Sequence, residues 1–227
     1  MKRSTINELI ENAKALLHDH QITLPPFAYW TPQEWATKGH ECDEIRECML
    51  GWDVTDFATG EFDKTGLVVF TARNGHKTID SYKGKTYCEK ILISREGQVT
   101  PCHYHVDKQE DIINRVGGNL VIRLFNRADD GSAADTPVAV ALDGVVRQFA
   151  AGEEVVLSPG ESITIPPCIY HDFWGQPGKG PVISGEVSKV NDDNCDNFFL
   201  ESLGRFPEIE EDSAPLHLLC TEYEAAV

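Results

Sequence analysis

The residues with the clearest chemical meaning lie in two short segments. One runs Gly97-Gln-Val-Thr-Pro-Cys-His103-Tyr-His105-Val-Asp-Lys-Gln-Glu110 and is followed by Gly117; the other runs Gly160-Glu-Ser-Ile-Thr-Ile-Pro166-Pro-Cys-Ile-Tyr-His171. His103 and His105 are two residues apart, so a β-strand aims both imidazoles from the same face, and Glu110 can return across a turn to meet them. His171 completes the set. Three imidazoles and one carboxylate make a mixed nitrogen and oxygen site for a first-row divalent cation, with positions left over for water or substrate. Thiolate ligands would have pointed to zinc instead.

Residues near these segments extend the chemistry. Lys108 lies between His105 and Glu110, and Lys90 alternates with Cys88 and Leu92 on the run leading into the first segment. Both lysines can reach the same pocket, where an ammonium steadies negative charge on a substrate oxygen. The stretch Gly185-Glu186-Val-Ser-Lys-Val-Asn-Asp-Asp193-Asn-Cys-Asp-Asn-Phe-Phe199 is dense in side chains that bind hydroxyl groups. Glu186, Asp193 and Glu110 itself are the candidates to move a proton. Cys102 and Cys168 flank the candidate ligands but have no base nearby in sequence, so both are read as buried packing residues.

The elements that must hold these groups are helices first and strands after. Ile6, Leu9, Ile10, Ala13, Leu16 and Leu17 keep a 3.6-residue stripe, and Thr5 with Glu8 has the form of a capping box, so the pattern predicts an amphipathic helix over 5–18. Its stripe exceeds what a lone surface helix needs and makes it a candidate arm on a partner. Pro25-Pro26 ends that unit, and Thr31-Pro-Gln-Glu34 opens a second, short helix. From Trp52 onward short β-rich runs between turns predict strands at 67–71, 86–94, 119–126, 138–142, 145–149, 162–166, 171–174 and 182–190. Asp143-Gly144 marks a tight hairpin. The acidic tail after Arg205 reads as solvated, with a short last strand at 216–220. The whole is expected to be one domain: a helical extension over 1–50, a β-barrel core over 52–200, and the tail over 205–227.

Composition limits the partners. A formal charge of −17 and a pI near 4.8 repel nucleic acid and anionic membranes. The start, Met1-Lys-Arg, is followed by residues too polar for a secretory signal, and no run reaches membrane-spanning length. Seven cysteines without C-x-x-C pairing fit a reduced cytoplasm.

The two segments resemble the motifs of the cupin superfamily, which implies an all-β, cupin-type double-stranded β-helix, a jelly-roll barrel. The first motif is matched at every position; in the second, Gly160, Pro166 and His171 match while Cys168 and Gly175 stand where the motif has Gly and Asn. The run His-Tyr-His-x-Asp-Lys-x-Glu-Asp, the run Gly-Glu-Val-Ser-x-Val-Asn-Asp-Asp and the helical lead together resemble the D-lyxose isomerases over nearly the whole chain. That resemblance implies a homodimeric, manganese-dependent ketol-isomerase, with ferrous iron, cobalt or zinc as other possible ions. It implies metal ligands at His103, His105, Glu110 and His171, and interconversion of D-lyxose with D-xylulose and, more weakly, D-mannose with D-fructose. The route is an enediolate proton transfer or a direct hydride shift. The sequence also shows no concentrated Arg/Lys pocket for a sugar phosphate. An iron-dependent cupin dioxygenase and a non-catalytic carbohydrate-binding cupin are the alternatives.

Overall fold

The computed structural model describes residues 1–226. The apolar stripe of the N-terminal segment forms α1 (Arg3–Asp19), and Ile6, Leu9, Ile10, Ala13 and Leu17 are all buried. Thr31 opens α2 (Pro32–Trp35) with the expected capping box, Glu34 N–H donating to Thr31 Oγ1 at 3.2 Å and Thr31 N–H to Glu34 Oε2 at 2.7 Å. A short α3 (Asp43–Glu47) follows.

The strands are β1 (Gly51–Thr55), β2 (Leu67–Arg73), β3 (Tyr87–Ser94), β4 (Thr100–Tyr104), β5 (Glu110–Gly117), β6 (Leu120–Arg127), β7 (Ala133–Ala134), β8 (Val138–Leu142), β9 (Val145–Phe149), β10 (Glu154–Leu157), β11 (Ser162–Ile165), β12 (Ile169–Gly175), β13 (Val182–Lys189) and β14 (Phe198–Phe199). One antiparallel sheet has the order β1-β2-β3-β13-β5-β11-β8-β9; the other runs β10-β6-β12-β4-β14, with β7 beside β6. This is the expected all-β, cupin-type architecture with a helical lead. Asp143 and Gly144 both take positive φ, 49° and 80°, as the tight β8–β9 hairpin requires.

Two apolar layers result from the period-two alternation of the first sheet. Leu67, Val69, Leu92, Ile112 and Val182 point into the barrel with Leu120, Ile122, Leu124 and Phe173. Val68, Phe70, Ile93 and Ile183 point outward and meet Trp52, Val54 and the stripe of α1. The helix therefore spends its stripe on its own barrel, which corrects the reading of it as an arm for a partner.

Three further expectations change. Residues 216–220 form no strand; Leu219 makes an isolated parallel bridge to Trp52, and Cys220 N–H donates to the Trp52 carbonyl at 2.7 Å. Thr5 and Glu8 do not cap α1, whose N-cap is Lys2 with no side-chain cap. The acidic tail does the capping: Arg3 N–H donates to the Glu210 carbonyl at 2.9 Å, and Ser4 N–H and Oγ–H donate to the Asp212 carboxylate at 2.9 and 2.7 Å. A carboxylate at the positive end of the helix dipole is stabilising. The tail is thus exposed but fastened.

Replacing Asp212→Ala should lower the melting temperature while Glu8→Ala leaves it unchanged. Equal effects in a thermal scan would return the cap to Thr5 and Glu8.

Candidate metal centre and active-site cavity

Strands β3, β4, β5, β12 and β13 all contribute side chains to one cavity, and the register brings their polar residues together. His103 pairs with His171 across β4 and β12, Lys90 lies opposite Glu186 across β3 and β13, and Glu110 lies opposite Ser188 across β5 and β13. Lys90, His103, His105, Lys108, Glu110, His171, Glu186 and Asp193 all line one cavity. Every residue singled out from sequence as ligand, base or substrate contact is therefore at the same place.

His103, His105 and His171 form a buried cluster whose ligand atoms lie within 4.8 Å of one another. In each ring Nδ1 faces a backbone carbonyl: Pro101 at 2.7 Å for His103, Ile169 at 3.1 Å for His171, and Asp196 for His105. A carbonyl can only accept, so each Nδ1 carries the proton and each Nε2 presents a lone pair, the arrangement a metal ligand needs. Glu110 Oε1 lies 2.9 Å from His171 Nε2 and 3.6 Å from His105 Nε2. These three atoms are buried without hydrogen-bond partners. Unprotonated nitrogens and a carboxylate oxygen at such distances repel unless a cation lies among them, so the donor set fits a divalent ion.

Electrostatics keep the donors available. Burial, then the neighbouring imidazoles His171 and His105, hold His103 well below the usual histidine range. Burial, then the Lys108 ammonium, bring His105 down to about 4. Burial opposes ionisation of Glu110, but the Lys108 ammonium outweighs it and holds the carboxyl well below its ordinary value. Lys108 Nζ sits 2.7 Å from Glu110 Oε2 and 2.9 Å from Glu186 Oε1; burial would lower its pKa, and these two carboxylates raise it instead. Lys90 Nζ is 3.8 Å from both Glu186 Oε2 and Asp193 Oδ2.

The segment after β13 divides into two roles. Asp193 faces the cavity and pairs with Arg205 at 3.0 Å, while its other oxygen accepts from Asn197 at 2.6 Å. Asp196 instead fastens the turn after His105, accepting from Val106 N–H at 2.7 Å and Lys108 N–H at 3.1 Å. Its carbonyl is the one that orients His105.

Sequence reasoning missed Arg205, Asn197, Thr100, Phe57 and Phe199, which also line the cavity. Arg205, read as the start of a solvated tail, bridges Asp193 and Asp53, the latter at 2.6 Å. Lys90, Lys108 and Arg205 thus do concentrate cations here, contrary to expectation, but Glu110, Glu186, Asp193 and Asp53 neutralise them. The two cysteines are also corrected: Cys102 is half-buried and Cys168 is exposed. Cys168 holds φ at 62°, the conformation for which the motif glycine is suited, and its N–H donates to the His105 carbonyl at 2.7 Å.

These neutral imidazoles make the metal-free protein acid-sensitive. The unfolded chain takes up a proton near pH 6.5 and folded His105 only near 4, so its share of stability is complete above about 6.5 and lost as pH falls toward 4, about 3 kcal/mol in all. Thermal melts of metal-free protein should fall across that window; a flat profile would contradict neutral imidazoles.

Comparison with known proteins agrees with the geometry. The family model described as D-lyxose isomerase matches residues 1–223. Proteins named D-lyxose/D-mannose isomerase from Serratia proteamaculans and Escherichia coli O157:H7 are 47% and 45% identical over 224 residues, covering 98% of this chain and of each relative. Among solved structures, an L-ribose isomerase from Cellulomonas parahominis shares the fold, with a TM-score of 0.61 and 15% identity over 92% of this chain and 98% of that one. On the whole-chain match and the closeness of these relatives, the chain belongs to the D-lyxose isomerase family.

Proposed function

We propose that the protein is a divalent-metal-dependent aldose–ketose isomerase that interconverts D-lyxose and D-xylulose and, more weakly, D-mannose and D-fructose. The substrates follow from the family and from the names of its relatives. In this reading His103, His105, Glu110 and His171 hold the ion, which is manganese, with ferrous iron, cobalt or zinc able to replace it. The observation that carries the reading is a set of convergent, unpartnered donor atoms sharing one cavity with a carboxylate that has an oxygen to spare.

That carboxylate is Glu186. Glu110 faces the imidazoles with one oxygen and Lys108 with the other, and Asp193 has both oxygens taken by Arg205 and Asn197. Glu186 Oε1 accepts from Lys108 and from Ser188 Oγ, both at 2.9 Å, but the nearest cation to its Oε2 is Lys90 at 3.8 Å. A bound divalent ion supplies polarisation of the sugar carbonyl and acidification of the C2 hydrogen. Glu186 takes the C2 proton of the open-chain aldose, exchanges it with solvent and delivers a proton to C1 of the enediolate, while a second proton passes from O2 to O1, so no oxidant or reductant is consumed. Lys108 and Lys90 bind and steady the negative charge that develops on the sugar oxygens. Asp193, itself held by Arg205, positions Lys90.

The chain acts as one cupin domain in a cytoplasmic homodimer. Seven cysteines without C-x-x-C pairing fit a reducing compartment. Among the described residues no helix is long and apolar enough to cross a membrane.

Metal-stripped protein given D-lyxose and manganese in D₂O without oxygen should form D-xylulose carrying deuterium at C1. Retention of the original hydrogen would replace proton transfer by a hydride shift, and no conversion of any aldose would overturn the isomerase. Glu186→Gln should lower kcat by about 10²–10⁴ with metal content intact, whereas His103→Ala should lose metal and turnover together. Full activity in either variant would overturn its assigned role.

A further inference from the structure

The cavity has two chemically different ends. Around the histidines it is lined by charged groups, whereas Phe57, Leu67, Val69, Leu92 and Phe173 belong to the barrel's apolar core. Outside the candidate ligands and the groups bonded to the ion-pair network, Thr100 at the start of β4 also lines it. It stands three positions before His103, and in a regular strand an odd spacing sends side chains to opposite faces. Here β12 steps two residues, from His171 to Phe173, while β4 steps three, from His103 to Thr100. The extra residue is a β-bulge, and it re-aims Thr100 into the cavity that His103 also faces.

Thr100 is buried, 3% exposed, and its Oγ1 has no hydrogen-bond partner. A hydroxyl kept in such a place is unfavourable unless something completes it, since an isosteric valine would avoid the desolvation. Ser94 and Ser184 hydroxyls are likewise unpartnered but do not line the cavity. Thr100 lies about 10 Å along the strand from His103, less what the bulge takes up. An open-chain sugar reacting at C1 and C2 beside the histidines reaches that far with its terminal hydroxyl alone.

We propose that Thr100 is a specificity-determining residue that hydrogen-bonds the terminal hydroxyl of the open-chain sugar, an assignment that rests on the aldose–ketose reading of the site. The bulge in β4 is then the device that puts a ligand and a substrate anchor on one strand. The contact discriminates against sugars that lack the hydroxyl and leaves proton transfer at C1 and C2 untouched.

The test is kcat/KM for D-lyxose and for 5-deoxy-D-lyxose with the manganese-loaded enzyme and with Thr100→Val and Thr100→Ser. The unsubstituted enzyme should prefer D-lyxose by about five- to tenfold, the net effect of one hydrogen bond. Thr100→Val should abolish that preference by lowering kcat/KM for D-lyxose toward that for the deoxy sugar, and Thr100→Ser should retain it. Equal turnover of both sugars by the unsubstituted enzyme, an undiminished preference in Thr100→Val, or a parallel loss on both sugars would overturn the assignment while leaving the isomerase intact. Failure of the unsubstituted enzyme on every aldose would remove the isomerase and this role together.

Discussion

Lys108 is the charge on which the arrangement of the site depends. Its side chain is 4% exposed and its ammonium lies between Glu110 and Glu186, so two buried carboxylates share one buried cation. Removing one partner from such a group strands the remaining charges in a poorly solvated place, a loss of about 3–5 kcal/mol. The same ammonium holds both carboxylates ionised and discourages protonation of His105. A single side chain therefore favours both the neutral donor state of His105 and the base state of Glu186. The price is that its own position must be fixed, which Asp196 does by accepting the backbone N–H groups of the turn that carries it.

The support for this cluster reaches the outside of the molecule through β1. Trp52 and Val54 point outward into the layer covered by α1, while Asp53 points the other way to Arg205, and the Thr55 hydroxyl donates to the Arg205 carbonyl at 2.7 Å. Arg205 continues to Asp193 and so to Lys90. The helical lead and the C-terminal tail, which grip each other through Arg3, Ser4, Glu210, Glu211 and Asp212, are thereby the outer wall of the same structure that positions the polar mouth. Arg3 is itself buried between Glu211 and Glu222. Covering the outer face of the first sheet explains why β2 is apolar on both sides.

Backbone irregularities place the remaining groups. Pairing of Phe199 with His103 carries the segment containing Asp193 and Asn197 over the cavity. Cys168 accepts a left-handed conformation so that its N–H can fasten the His105 carbonyl, while Asp196 fastens the same residue's ring. His105 lies just past the end of β4, where no ladder would otherwise hold it.

What the sequence determined by itself was whatever rests on short-range periodicity and chemical type. The stripe of α1, the Thr31 cap, the Asp143-Gly144 hairpin and the alternation that puts Lys90 inward with Leu92 are properties of neighbours along the chain. So is the spacing of His103, His105 and Glu110, and each was legible because a helix repeats every 3.6 residues and a strand every two. The tertiary structure decided which distant groups meet: Arg205 with Asp53 and Asp193, Asp212 with the start of α1, Asp196 with His105, and the pairing that makes a crowd of cations nearly neutral. Strands such as β1 and β5 were missed because polar residues occupy their second face and are accounted for by partners far off in sequence. Local pattern fixes which way a side chain points, but the field around a buried charge comes from whatever the fold packs beside it, and no spacing within one segment contains that information.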